Sequence, residues 1–186
     1  MQISDAIQAR RSIKRFTDRT VTREELETLL AAIGRAPNHR LTEPWRIYVL
    51  GPTSRRAYGM ALGARKARKI ADPAAAAARR DEVAAQYEAR PAMIAVATTT
   101  SDNPEIAQED YAAVMMGVQN LTLMAMELGL GTQIHTGAVM DDPAARTAIG
   151  VRDDERVVAI VDVGEPAEIP APRARRPIAD LTTWVD

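Results

Sequence analysis

The chain has 186 residues, with 24 Lys and Arg against 25 Asp and Glu and a formal net charge of −1, which argues against a protein whose main partner is a nucleic acid or an anionic membrane. It has no cysteine, which removes disulfides, thiolate metal sites, iron–sulfur clusters and cysteine nucleophiles. Hydrophobic residues make up 46% and aromatics only 4%, so a single domain over residues 1–186 with an aliphatic core is expected.

The opening MQISDAIQARR lacks the apolar stretch of a signal peptide, and no run of about 18 apolar residues occurs, so a cytoplasmic protein is expected. Ser4 is a candidate cap for a short first helix carrying Ile3 and Ile7. A second helix is predicted from Thr22, whose hydroxyl and the Glu25 carboxylate have capping-box spacing, with Leu26, Leu29, Leu30 and Ile33 following at helical intervals up to Gly34. The segment APNHRLTEPW, with Pro37, Asn38 and Pro44, reads as a loop. The run Arg46–Leu50 reads as a strand, with Trp45 as a core anchor at its start.

Residues 53–90 read as helical with a break at Asp72–Pro73. The run AMIAVATT from Ala92 is a continuous apolar strand, the pattern of a strand covered on both faces. Asn103–Pro104 starts a long helix reaching Leu128. On it Tyr111, Val114, Met115, Val118, Leu121, Ala125 and Leu128 form one apolar stripe, and Met116, Leu123, Met124 and Met126 occupy much of the other side. A helix apolar nearly all round needs cover on nearly all sides, which in so small a domain points to a second subunit. GLGTQIHTG reads as a glycine-rich loop whose backbone amides can approach a flat ligand. A capped turn from Asp141, the strand RVVAIVDVG and an irregular basic tail from Glu165 complete the chain. Strands separated by helices with long connections indicate an α+β domain.

Four clusters can carry chemistry. Arg10, Arg11, Ser12, Lys14 and Arg15 place four cations and a hydroxyl after the first helix, a donor set suited to a terminal phosphate. Arg173 and Arg175 share one side of an extended segment and can address one anion together. Read alone, each cluster is more often a solvated basic surface. The loop around His39 can present donors to a ligand, and the glycine-rich stretch contains Ile134, His135 and Thr136. That stretch is neither GxGxxG after a strand nor a phosphate-binding P-loop. Two histidines without metal-ligand spacing make no metal site, and no GxSxG elbow anchors a serine hydrolase.

Taken in order, RRSIKRF, RAPNHRLTEPW, ELGLGTQIHTG and VDVGEPAEIPAPRARRP resemble the nitroreductase family of FMN flavoproteins, in its short single-domain branch. The resemblance implies a central mixed sheet flanked by helices in an intertwined homodimer, with FMN at the subunit interface. It implies that Arg10 and Ser12 bind the FMN phosphate with Arg11 beside them, and that Arg173 and Arg175 complete the phosphate clamp. Lys14 would line the site near the ring, and Ile134, His135 and Thr136 would run along the isoalloxazine. Arg35 and His39 would reach the flavin held mainly by the other subunit. The position of Ile134 often carries Trp in relatives.

The implied activity is ping-pong hydride transfer from NAD(P)H to FMN and on to a nitroaromatic, quinone or related acceptor, with no obligatory protein acid or base. Flavin fragmentation, dehalogenation and ring dehydrogenation occur on related folds, and a flavin-storing dimer without turnover is a further alternative.

Overall fold

The computed structural model describes residues 1–185. Helix α1 spans Ile3–Ala9, α2 Arg23–Ile33, β1 Trp45–Val49, α3 Pro52–Ala67, α4 Pro73–Glu88, β2 Ala92–Thr99, α5 Pro104–Glu127, β3 Gly131–His135, α6 Pro143–Ile149 and β4 Glu155–Gly164, with a 3-10 turn at Ile178–Leu181. The α+β class is as expected. The four strands lie in the order β1-β2-β4-β3 and every pairing between them is antiparallel. The mixed character expected of the sheet is confined to an isolated parallel bridge between Ser12 and Thr132, because the segment after α1 runs along the outer edge of β3 in the same direction.

Local chemistry sets the boundaries. Thr22 and Glu25 form the complete capping box that starts α2. Asp72, Asn103 and Asp142 accept backbone N–H groups at the starts of α4, α5 and α6, each followed by Pro at the first helical position, where the missing N–H costs nothing. Two expected caps move: α1 is preceded by Gln2 with no side-chain bond, so Ser4 lies inside it, and the cap of α6 is Asp142 rather than Asp141.

The alternation of β2 and β4 builds a core on each sheet face. Ala92, Ile94 and Val96 of β2 and Ala159, Val161 and Val163 of β4 join α2 and α5 through Leu29, Ile33, Val114, Val118, Leu121 and Ala125. Met93 and Ala95, with Ile160, face α3, α4 and α6 through Tyr58, Val83, Tyr87 and Ile149. Asp162 is in phase with Ile160, on this second face, and is wholly buried. Of the expected α5 stripe, Val114, Val118, Leu121 and Ala125 are buried, whereas Tyr111 and Met116 are exposed and the remaining apolar positions half-buried.

The glycine-rich stretch is not a loop. Gly129, at φ +70°, ends α5 in the left-handed region that glycine adopts without a Cβ penalty, and residues 131–135 then form β3 against β4. The glycine at 131 serves packing rather than ligand approach: a Cβ there would lie 2.4 Å from Ile13 Cγ1 and 2.9 Å from Pro166 Cγ. Among the described residues no helix is long and apolar enough to cross a membrane.

Candidate functional site

Two neighbouring cavities are formed where the segment after α1 meets β3 and the tail. Ile13 N–H donates to Thr132 O at 2.9 Å, Thr17 N–H to Glu165 O at 2.9 Å and Ala167 N–H to Arg15 O at 3.0 Å. Phe16 bridges Pro166, and Thr17 Oγ1 donates to Glu165 Oε2 at 2.8 Å. These contacts lay the start of the tail beside residues 12–17.

The first cavity, of about 740 Å³, is lined by Arg10, Arg11, Ser12, Lys14, Arg173 and Arg175 among others. It brings together the two basic clusters that lie some 160 positions apart in the chain. Arg176 does not line it, in keeping with the alternation expected of an extended segment. Glu168 is the one carboxylate in the lining, and it pairs with Arg15 at 3.6 Å. Arg11 donates to the carbonyls of Gln8 and Arg10, while Arg10, Arg173 and Arg175 have no carboxylate partner among the described residues. A site with this excess of unpaired guanidinium groups and a serine hydroxyl is built for a multiply charged anion.

The second cavity, of about 400 Å³, shares Lys14 with the first and is lined also by Tyr58, Lys66, Tyr87, Arg90, Gln133, His135 and Thr136. Burial pushes the Lys66 ammonium below its ordinary range, with Arg79 as a further cause. Burial raises both tyrosines, Tyr87 to about 12, with the nearby Asp162 charge adding to the rise. Both therefore stay as neutral hydroxyls at physiological pH.

Lys14, His135 and Thr136 thus come together in one wall system, continuous through Lys14 with Arg10, Arg11 and Ser12. Ile134 does not join them. It lies one residue from His135 on a strand, so its side chain takes the opposite face, where it packs against the α2–α5 core. Arg35 and His39 line neither cavity. His39 is exposed on the loop after α2, its Nδ1 3.0 Å from Glu109 Oε1 on α5. Arg40 donates to Glu109 Oε2 at 2.7 Å and to Glu105 Oε1 at 3.1 Å. Asn38 Oδ1 accepts the Glu43 N–H at 2.8 Å, and Leu41 and Glu43 adopt left-handed φ values of 52° and 44°. This loop is shaped from within rather than free.

Sequence reasoning missed Asp162, Arg90, Arg55, Tyr58 and Tyr87. Tyr58, Tyr87 and Arg55 sit in helices read only for their helicity. Asp162 had a visible signal: it is the single carboxylate inside the apolar run VVAIVDVG, and a charge there is paired or functional.

The family model for the Nitroreductase family matches residues 7–165. The chain is 32% identical over 182 residues, 97% of its length and 93% of the relative's, to YfhC of Bacillus subtilis (strain 168), which is provisionally named an NAD(P)H nitroreductase. Its fold superposes with a TM-score of 0.86 on the crystal structure of a nitroreductase-like family protein from Bacillus cereus, at 28% identity, covering 100% of this chain and 97% of the other. The FMN and NADPH-dependent nitroreductase NfnB from Sphigopyxis sp. strain HMH has the same fold, with a TM-score of 0.80 at 18% identity over 100% of both chains.

Proposed function

Because the chain belongs to the Nitroreductase family, we propose that it is an FMN-dependent NAD(P)H oxidoreductase acting as a homodimer on a small acceptor such as a nitroaromatic or quinone. The observation that carries this reading is the convergence of Arg10, Ser12, Arg173 and Arg175 on one cavity. The fit is chemical as well as spatial. A phosphate dianion needs several fixed donors without competing carboxylates, and a cavity of 740 Å³ falls within the range of small-molecule sites.

In this reading Arg10, Ser12, Arg173 and Arg175 hold the phosphate of FMN, with Arg11 closing the wall. Lys14 stands between the phosphate cavity and the second cavity, where His135, Thr136, Lys66 and Arg90 would surround the ring. When bound, FMN supplies the two-electron redox chemistry between NAD(P)H and the acceptor. The protein's share is to bind and orient the cofactor and to hold positive charge near its pyrimidine edge, where negative charge develops on reduction. Lys14 is the residue best suited to that role, with Lys66 beside it.

The dimer reading is supported by apolar surface that one subunit leaves uncovered. Met116 on α5, together with Ile169, Ile178, Leu181 and Trp184 of the tail, is exposed, Trp184 to 89%. Large apolar side chains left exposed along one segment call for a covering surface, and a second copy provides a matching one by symmetry. Arg35 and His39, which line no cavity of their own chain, would then serve the partner's flavin.

Comparison of FMN with riboflavin tests the phosphate assignment. FMN is expected to bind at least about a hundredfold more tightly, since two or more charge-assisted contacts worth about 1.5–3 kcal/mol each are lost without the phosphate. Equal affinity would refute it.

A further inference from the structure

The buried side-chain polar atoms without a hydrogen-bond partner among the described residues are Arg55 Nε, Arg90 Nε and Asp162 Oδ1. All three belong to one cluster beneath the second cavity. Buried groups of this kind are costly and scarce in native proteins, and three in a single place mark a site held for something other than stability.

Asp162 is the hub of the cluster. It stands on β4 with no solvent exposure. Its Oδ2 is 2.9 Å from His135 Nε2 and 3.2 Å from Arg90 Nε. The Arg90 N–H is not aimed at that oxygen, so this second contact is an ion pair rather than a hydrogen bond. Arg90 itself is pinned between rings, with its guanidinium 5.7 Å from the centroid of Phe16 and 5.8 Å from that of Tyr87. Its Nη1 donates to the backbone carbonyl of Lys14 at 3.1 Å. Arg55 Nη1 donates to Pro91 O at 3.3 Å, and burial pulls its guanidinium below its ordinary range against the nearby Glu88 and Asp162 charges.

One carboxylate therefore reaches both walls of the cavity, His135 directly and Lys14 through Arg90. A carboxylate accepts and does not donate. The nitrogen of His135 that faces it must carry the proton, and Nδ1 is left without a partner among the described residues.

We propose that Asp162 is a positioning residue for this cavity: it fixes His135 as the Nε2–H tautomer, leaving Nδ1 for a ligand, and through Arg90 it sets the place of Lys14. His135 Nδ1 then offers the cavity an acceptor, among walls otherwise rich in donors from Lys14, Lys66, Arg90, Tyr58 and Tyr87. An imide or amide N–H flanked by carbonyl groups matches that pattern, whether on a flavin ring or on the acceptor. The role in ligand affinity rests on the flavin reading above; the tautomer does not.

The test uses the full chain, labelled with 15N, with and without saturating FMN. Long-range proton–nitrogen spectra at mildly alkaline pH identify the protonated nitrogen of each imidazole, and a His39→Ala variant assigns the two histidines. The wild type is expected to show His135 protonated on Nε2 in both states. Asp162→Val, which continues the apolar run of β4, is expected to lose that preference and to weaken FMN binding by on the order of tenfold. Adding His135→Gln to it should weaken binding by less than the sum of the two single effects, because the two residues act in series.

A His135 protonated on Nδ1 in the wild type would overturn the proposal. So would an Asp162→Val protein that melts earlier yet keeps the tautomer and the FMN affinity, since that is the behaviour of a merely structural residue. If Asp162→Val does not fold, His135→Gln and Arg90→Lys decide, and unchanged FMN affinity in both would overturn it. A wild type that binds no FMN would defeat the function proposed above, while the tautomer in the unliganded protein would still judge Asp162.

Discussion

Gly131 and Ile13 are packed so closely that a methyl group on Gly131 would lie 2.4 Å from Ile13 Cγ1. The same junction carries the Ile13 N–H to Thr132 O bond, so the seat of the cation-bearing segment depends on the absence of a side chain. Gly131→Ala is expected to destabilise the protein by about 1–3 kcal/mol, the usual cost of forcing atoms into a packed site, and to weaken FMN binding because Ser12 and Lys14 are displaced. Thermal denaturation and FMN fluorescence titration measure the two effects. Loss of stability with unchanged affinity would separate the packing from the site.

Removing guanidinium groups from the first cavity should act on binding and not on folding, because Arg10, Arg173 and Arg175 carry no ion pair within the described residues. Arg10→Ala is expected to cost about 1.5–3 kcal/mol of FMN affinity, the worth of a charge-assisted contact. The double change Arg173→Ala with Arg175→Ala should cost at least as much, with the melting temperature of the FMN-free protein unaltered. Retention of FMN by both variants would remove the phosphate assignment.

The loop after α2 should loosen in acid. The hydrogen bond from His39, followed by that from Arg40, holds the Glu109 carboxyl below its ordinary range. A carboxyl depressed in the folded state contributes stability above its unfolded value and loses it as the pH falls through the folded one. Hydrogen exchange in residues 38–43 is therefore expected to rise below about pH 4, and Glu109→Gln should abolish that dependence. His39→Ala should leave the fold intact and weaken FMN binding only if the loop serves a flavin.

Ile134→Trp would place there the residue that the family resemblance leads one to expect. In a single subunit the Ile134 side chain packs against the α2–α5 core, so the larger ring is expected to lower stability by about 1–3 kcal/mol. An unaltered melting temperature would mean that the position opens to a surface or to the cavity.

The segments that local chemistry dictates were legible in the chain. The Thr22–Glu25 capping box, Asn103–Pro104 and the continuous apolar run of β2 lie where their patterns put them, because caps, proline and burial on both faces act over a few residues. Arg10, Arg11, Ser12, Lys14, Arg173 and Arg175 line one cavity, a meeting of two distant clusters that neither motif encodes by itself. β3 was hidden because glycines at its entrance signal a turn, and Gly131 is there to admit Ile13, a neighbour more than a hundred positions away in the chain. The cluster around Asp162 was hidden for a related reason. Arg55, Arg90 and His135 come from α3, the turn after α4, and β3, and their meeting is a product of sheet order that no local spacing encodes.

The proposed activity is tested most directly by adding NADH or NADPH anaerobically to the FMN-loaded protein and then adding a nitroaromatic or quinone. The expected result is loss of the flavin's visible absorbance with at least one of the two nicotinamides and its full return with the acceptor. A protein that keeps its flavin colour with both nicotinamides, or that binds no FMN, would contradict the assignment.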